Sequence, residues 1–141
     1  MKDLKEILNI KHPIIMAPMF LVTNAEMVIR ACQKEIAGSI PAHNFRTIKE
    51  FEEALIHIKK EAQGKGALGI NLIVNPSNPH YRKQLEVALK MPVDFIITSL
   101  GSPKEVINKA KQKNIKVLCD IVNLKMAKKC EELGADAIIA V

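Results

Sequence analysis

The 141 residues carry a formal charge of +6, with 48% apolar and 26% charged side chains, proportions that belong to a globular chain rather than a disordered one. A chain of this length buries roughly 70% of the surface its unfolded form exposes, enough for the core of a single α/β domain over 1–141. No tract approaches the ~20 apolar residues that cross a bilayer, and the opening "MKDLKEILNI" is charged and amphipathic rather than a signal peptide, which predicts a soluble, cytoplasmic protein with no membrane partner.

In chain order, the first predicted strand is "PIIMAP" (13–18), an uncharged run between Pro13 and Pro18. Thr23 or Asn24 can cap the helix that follows. Strand "AGSIPA" (37–42) leads to His43, and Thr47 with Glu50 fits a capping box. That box opens a helix whose Ile48, Phe51, Leu55, Ile58 and Ala62 recur at three and four, one apolar face against water on the other. Strand "ALGINLIV" (67–74) comes next, then "DFIITSL" (94–100). Ser102-Pro103 fits a cap followed by the first helical residue, with Val106, Ile107 and Ala110 as the buried stripe. Strand "KVLCDIV" (116–122) precedes a helix striped by Ala127, Cys130 and Leu133; Gly134 can end it in the left-handed conformation. The last predicted strand is "DAIIAV" (136–141).

The lysines concentrate in "HIKKEAQGK", "KAKQKNIK" and "NLKMAKKCEE", interleaved with glutamates on predicted helices. That is the pattern of solvated helix faces rather than a nucleic-acid surface, and aromatic residues, at 4%, supply few stacking platforms. Cys32, Cys119 and Cys130 are odd in number, lack CxxC spacing and sit in apolar stretches, so buried reduced thiols are expected and no metal site is.

Strands apolar on both faces and joined by helices imply a parallel sheet with right-handed crossovers. Two architectures meet this description: an open doubly wound sheet, or part of a (β/α)8 barrel. No GxGxxG follows the first strand and no GxxxxGK[ST] occurs, which removes support from the dinucleotide and P-loop forms of the open sheet. Six strands are visible where a closed barrel has eight.

Ligands bind parallel α/β sheets at the carboxyl ends of the strands, which directs attention to Ala17-Pro18-Met19, His43-Asn44, Asn71, Asn75, Ser99, Asp120 and Asn123. Asn71 sets one carboxamide in an apolar strand. It suits the edge of a heterocycle, and equally a bond to a neighbouring loop. Asp120 must be paired or hydrogen-bonded, either to a ligand or within a local network. Gly69 permits close approach of another group or a neighbouring side chain. His43 could donate to a ligand or move a proton, but no carboxylate stands at a fixed spacing from it.

The segments "HPIIMAPM", "GSIPAHNFRT", "GINLIVNPSNPHYRKQLEVAL", "VDFIITSLGSPKEVI" and "VLCDIVNLKMAKKCEELGADAIIAV" together resemble the nitronate monooxygenase family, formerly 2-nitropropane dioxygenase. The resemblance implies an FMN-dependent (β/α)8 barrel related to the flavin-dependent enoyl-acyl-carrier-protein reductases. It implies that Ala17, Pro18 and Met19 lie against the flavin ring and that Asn71 bonds its polar edge, with Ser99 and Asp120 in the same mouth. Its reaction converts an alkyl nitronate and O2 to a carbonyl compound and nitrite, with an acid–base histidine in a Gly-Gly-His segment beyond Val141. Met16 and Val141 stand where family members often carry glutamine and another polar residue. The phosphate loops after strands seven and eight also fall beyond Val141, so FMN affinity of these 141 residues alone is expected to be weak. Open strand edges further predict self-association. A flavin enoyl reductase and a non-catalytic, self-associating half-barrel are the alternative readings.

Overall fold

The computed structural model describes residues 3–141. Its six strands, β1 (Ile15–Met16), β2 (Ala37–Pro41), β3 (Ala67–Ile73), β4 (Phe95–Ser99), β5 (Lys116–Ile121) and β6 (Ala137–Ala140), are all parallel. They lie in the order β1-β2-β3-β4-β5-β6. A doubly wound sheet reverses strand order at its switch point, and this sheet never does, which decides between the two architectures in favour of the barrel type. The result is a curled, incomplete (β/α)8 barrel with β1 and β6 as its edges.

The helices are α1 (Leu4–Leu8), α2 (Ala25–Gln33), α3 (Ile48–Glu61), α4 (Tyr81–Lys90), α5 (Lys104–Lys111) and α6 (Leu124–Leu133), with a 3₁₀ turn at Ala42–Asn44. Helices α2 to α6 cover the outer sheet face. Their Val28, Phe51, Leu55, Leu85, Val106 and Ile107 pack with Ile40, Leu68, Ile70, Leu72, Ile96 and Val117 in the larger core. Each such side chain, fully buried, contributes about 1.5–3 kcal/mol.

The inner face holds a second core of Ala37, Ala67, Phe95, Ile97 and Leu118. Leu4, Ile7 and Leu8 of α1 and Ile10, just after it, cover this core. The amphipathic opening of the chain is therefore the plug at the amino-terminal end of the strands. Asp3 and Glu6 form a capping box that starts this plug. Gly69 is where the inner core leaves no room for a side chain: a Cβ there would lie within 2.5 Å of three ring carbons of Phe95, its register partner on β4. The close approach expected of this glycine is thus made by a neighbouring side chain.

Most predicted boundaries hold to within a residue, and the exceptions have local causes. β1 is two residues rather than the six of 13–18. Pro13 and Pro18 have no N–H to give a ladder, and the Ala17 carbonyl is taken by the Thr23 hydroxyl at 3.2 Å. Asn24, not Thr23, caps α2. The Thr47–Glu50 capping box forms, and Gly134 ends α6 at φ 87°. The Ser102 cap does not form: α5 begins at Lys104, Pro103 is its N-cap, and no side chain accepts there. Of the α6 stripe only Cys130 is fully buried, because β6, the strand α6 leads into, has no neighbour on its far side.

Candidate functional site

Side chains alternate across a strand, so the inner positions that carry Ala67 and Gly69 on β3 carry Asn71 next, and those that carry Phe95 and Ile97 on β4 carry Ser99. On β5 the same parity runs from Leu118 to Asp120. Three polar residues therefore arrive together above the apolar inner core, at the carboxyl ends of adjacent strands. They form one hydrogen-bonded line. The Asn71 Nδ2 amide donates to Ser99 Oγ at 2.6 Å and to the Ile97 carbonyl at 3.4 Å, and Ser99 Oγ donates to Asp120 Oδ2 at 2.5 Å.

This line is one wall of a cavity of about 450 Å³, whose other walls are Ile15, Ala17, Pro18, Ile97, Ile139 and Val141. The volume lies within the range of small-molecule sites, and the mixture of apolar walls with a few convergent polar groups is their usual composition. No lysine or arginine is among the lining residues.

Of the six residues singled out for cofactor contact, five line this cavity: Ala17, Pro18, Asn71, Ser99 and Asp120. Met19 does not. The chain turns at that point, with Thr23 N–H donating to the Met19 carbonyl at 3.0 Å and Met19 N–H donating to Thr23 Oγ1 at 2.9 Å, and the Met19 side chain is left exposed. His43 also lies outside the lining, exposed in the 3₁₀ turn with its ring centroid 5.5 Å from that of Phe20. His12, before β1, is at the amino-terminal end of the strands. Asn75 borders a separate cavity beside α4, and Asn123 is the N-cap of α6.

Three residues outside the lining position the Ala17-Pro18 wall. Buried Thr23 holds the Ala17 carbonyl and the Met19 amide, and Ser39 Oγ donates to the Met16 carbonyl at 2.7 Å. Asn44 accepts from Leu21 N–H at 3.0 Å and donates to the Thr23 carbonyl at 2.8 Å. Together they hold the proline-containing segment in place where strand pairing has stopped. Asn44 is among the strand-end candidates of the sequence and Thr23 reads there only as a helix cap; the inward parity of Ser39 in "AGSIPA" could have pointed to the third.

The thiols take no part in this wall. All three cysteines are free and buried. Burial pushes the Cys32 thiol up to about 11 and the Cys119 thiol up to about 12, so both are neutral at ordinary pH and neither is a nucleophile. Among the described residues no group of three or more His, Cys, Asp and Glu side chains could hold a metal ion. None of the described helices is long and apolar enough to cross a membrane.

Parallel β/α units in sequential order, with polar side chains gathered at the carboxyl ends of the strands, define an incomplete (β/α)8 barrel whose candidate site is on the loop face. Solved structures of the same fold include FabK from Thermotoga maritima, at a TM-score of 0.86 and 22% identity over 97% of this chain and 42% of that one. Nitroalkane oxidase from Streptomyces ansochromogenes superposes at a TM-score of 0.82 and 19% identity, over 99% of this chain and 48% of that one. The enoyl reductase domain of MlnA from Bacillus amyloliquefaciens does so at 0.74 and 21% identity, over 87% and 31%. The chain thus spans less than half the length of each of these structures. No protein-family model and no curated protein matches it.

Proposed function

We propose that the chain carries the ring-binding part of a flavin-dependent oxidoreductase site, with FMN as cofactor and an alkyl nitronate and O2 as substrates, giving a carbonyl compound and nitrite. The observation that carries this reading is the Asn71–Ser99–Asp120 line on the wall of an otherwise apolar cavity. A flat heterocycle with one polar edge fits such a wall: its faces meet Ala17, Pro18 and the isoleucines, and its edge meets the carboxamide. A phosphate does not fit it, because the lining contains the Asp120 carboxylate and no cation. The described cavity therefore suits the ring alone, and the reading puts both the phosphate grip and the acid–base histidine beyond Val141.

When bound, the flavin supplies the electron acceptor that side chains lack. The chain's own part is to orient and to exclude water. Ile15, Ile97, Ile139 and Val141 keep the cavity apolar, and the backbone at Ala17, held by Thr23, sets how closely a ring can approach. The same apolar walls suit an enoyl thioester, and one structure of this fold is an enoyl reductase domain, so a nicotinamide-dependent enoyl reduction is the second reading.

Titration of the 141-residue chain into FMN, followed by quenching of flavin fluorescence, tests the proposal. Weak but saturable binding is expected, because the cavity grips the ring and not the phosphate, and Asn71→Ala weakens it by about tenfold, as loss of one hydrogen bond of roughly 1–1.5 kcal/mol requires. Absence of binding, or equal binding by Asn71→Ala, refutes the reading. Nitrite release from an alkyl nitronate, against oxidation of a nicotinamide with an enoyl thioester, separates the two substrates.

A further inference from the structure

The hydrogen-bond line in the cavity has a direction, and its chemistry dictates it. A carboxylate only accepts, so the Ser99 hydroxyl proton is committed to Asp120 Oδ2. Ser99 Oγ can then only accept from its other neighbour, which must be the NH2 end of Asn71. The Ile97 carbonyl, also an acceptor, stands on the same side of the carboxamide at 3.4 Å and demands the same end. Both amide hydrogens of Asn71 are thereby used inside the wall. Its Oδ1 has no protein partner among the described residues, while none of their buried polar side-chain atoms lacks one. The oxygen is therefore open to the cavity that Asn71 lines.

We propose that Asp120 and Ser99 are positioning residues that hold the Asn71 carboxamide with its oxygen toward the cavity, so that the site selects a ring offering an N–H donor at that edge. Without Asp120 the hydroxyl could reverse and offer its proton to Asn71, leaving only the long 3.4 Å contact to the Ile97 carbonyl to hold the NH2 end in the wall, so that Asn71 could turn and present its NH2 group to the cavity. The inference rests on the flavin reading in one respect. The oxidised flavin ring has a single N–H, on the imide between its two carbonyls, and that group becomes the partner of Asn71 Oδ1.

The test compares lumiflavin, which has the ring without a phosphate, with 3-methyllumiflavin, in which the imide N–H is replaced by N–CH3. Fluorescence quenching gives the two dissociation constants. The unsubstituted protein is expected to prefer lumiflavin by about tenfold. Asp120→Ala, which leaves the Ser99 hydroxyl no acceptor at that position, and Ser99→Ala each reduce that preference to about threefold or less, by weakening lumiflavin without weakening 3-methyllumiflavin. Ser99→Thr, which keeps the hydroxyl, retains the preference. A general loosening of the wall would weaken both ligands alike, so the ratio reports the direction of the carboxamide. Circular dichroism establishes that each variant is folded, and if Asp120→Ala is not, the Ser99→Ala and Ser99→Thr pair decides. Equal binding of the two flavins by the unsubstituted protein overturns this inference and leaves the flavin reading standing, as does an undiminished preference in folded Asp120→Ala or Ser99→Ala. Failure of both flavins to bind overturns the flavin reading and this inference with it.

Discussion

A methyl group at position 69 would occupy the space of the Phe95 ring, the largest side chain of the inner core. Because Phe95 is fully buried between β3 and β5, it cannot swing away without displacing Ile97 or Leu118. Gly69→Ala is therefore expected to destabilise the fold by about 1–3 kcal/mol, the usual cost of overpacking, which urea denaturation would measure. A neutral result would mean that the inner core is loosely packed. The buried thiols give a second expectation, in pH. Cys32 and Cys119 ionise at about 11 and about 12 in the folded chain but near 9 when unfolded. Below pH 9 both states are neutral and nothing changes. Above it only the unfolded state releases the protons, so stability falls as pH rises from about 9 toward 12. Replacing both cysteines with alanine should flatten that part of the stability profile in alkaline urea titrations. Asn71 and Asp120 were visible in the sequence because each interrupts an apolar run. Their connection through Ser99 was not, because lateral contact depends on register between strands separated by 20 or more residues, and the sequence carries no local sign of that register.

Among the elements, two strands begin with the same device. Asp94, just before β4, accepts from the Leu68 amide of β3 at 2.8 Å and pairs with Lys59 of α3 at 2.9 Å. Asp136, just before β6, accepts from the Val117 amide of β5 at 2.9 Å and pairs with Lys116 at 3.4 Å. In each case a strand's first free N–H receives an acceptor from the next strand, at the end of the sheet away from the candidate site. These are stability residues by position. Asp94→Ala is expected to cost about 1–3 kcal/mol in chemical denaturation and to leave flavin binding unchanged. A loss of binding without a loss of stability would contradict that division of roles. At this scale the sequence was most readable: uncharged or apolar runs located β2 to β6, and amphipathic stripes located α3, α5 and α6. β1 was overextended, since an apolar run shows hydrophobicity and not whether its N–H groups can pair, and two prolines removed that possibility. Helix α1 was seen as amphipathic, but its role as a plug follows only once the sheet curls and leaves an inner face to cover.

Within the 141 residues the six strands leave two open parallel edges, β1 and β6. Apolar side chains stand unprotected beside them: Ile14 near β1, and Ile138 and Val141 on and after β6. An edge with free N–H and C=O groups beside exposed apolar surface is a template for another strand, and in a solution of this chain the strand at hand is a second copy. Charge works against that association, since every copy carries +6. The repulsion is long-ranged at low ionic strength and screened to within about 3 Å at 1 M salt, whereas edge pairing and apolar contact act at short range. Salt should therefore shift the balance toward association. Sedimentation equilibrium of the 141-residue chain is expected to give an average mass above the 15.7 kDa of one copy, rising with salt. Lysine at Ile138, on the outer face of the edge strand, adds a charge where the copies would meet and is expected to lower that mass without changing the circular dichroism spectrum. A mass that stays at one copy under all salt conditions would show that the two-residue β1 and the four-residue β6 are too short to template another strand, and the open barrel would then be stable as a monomer.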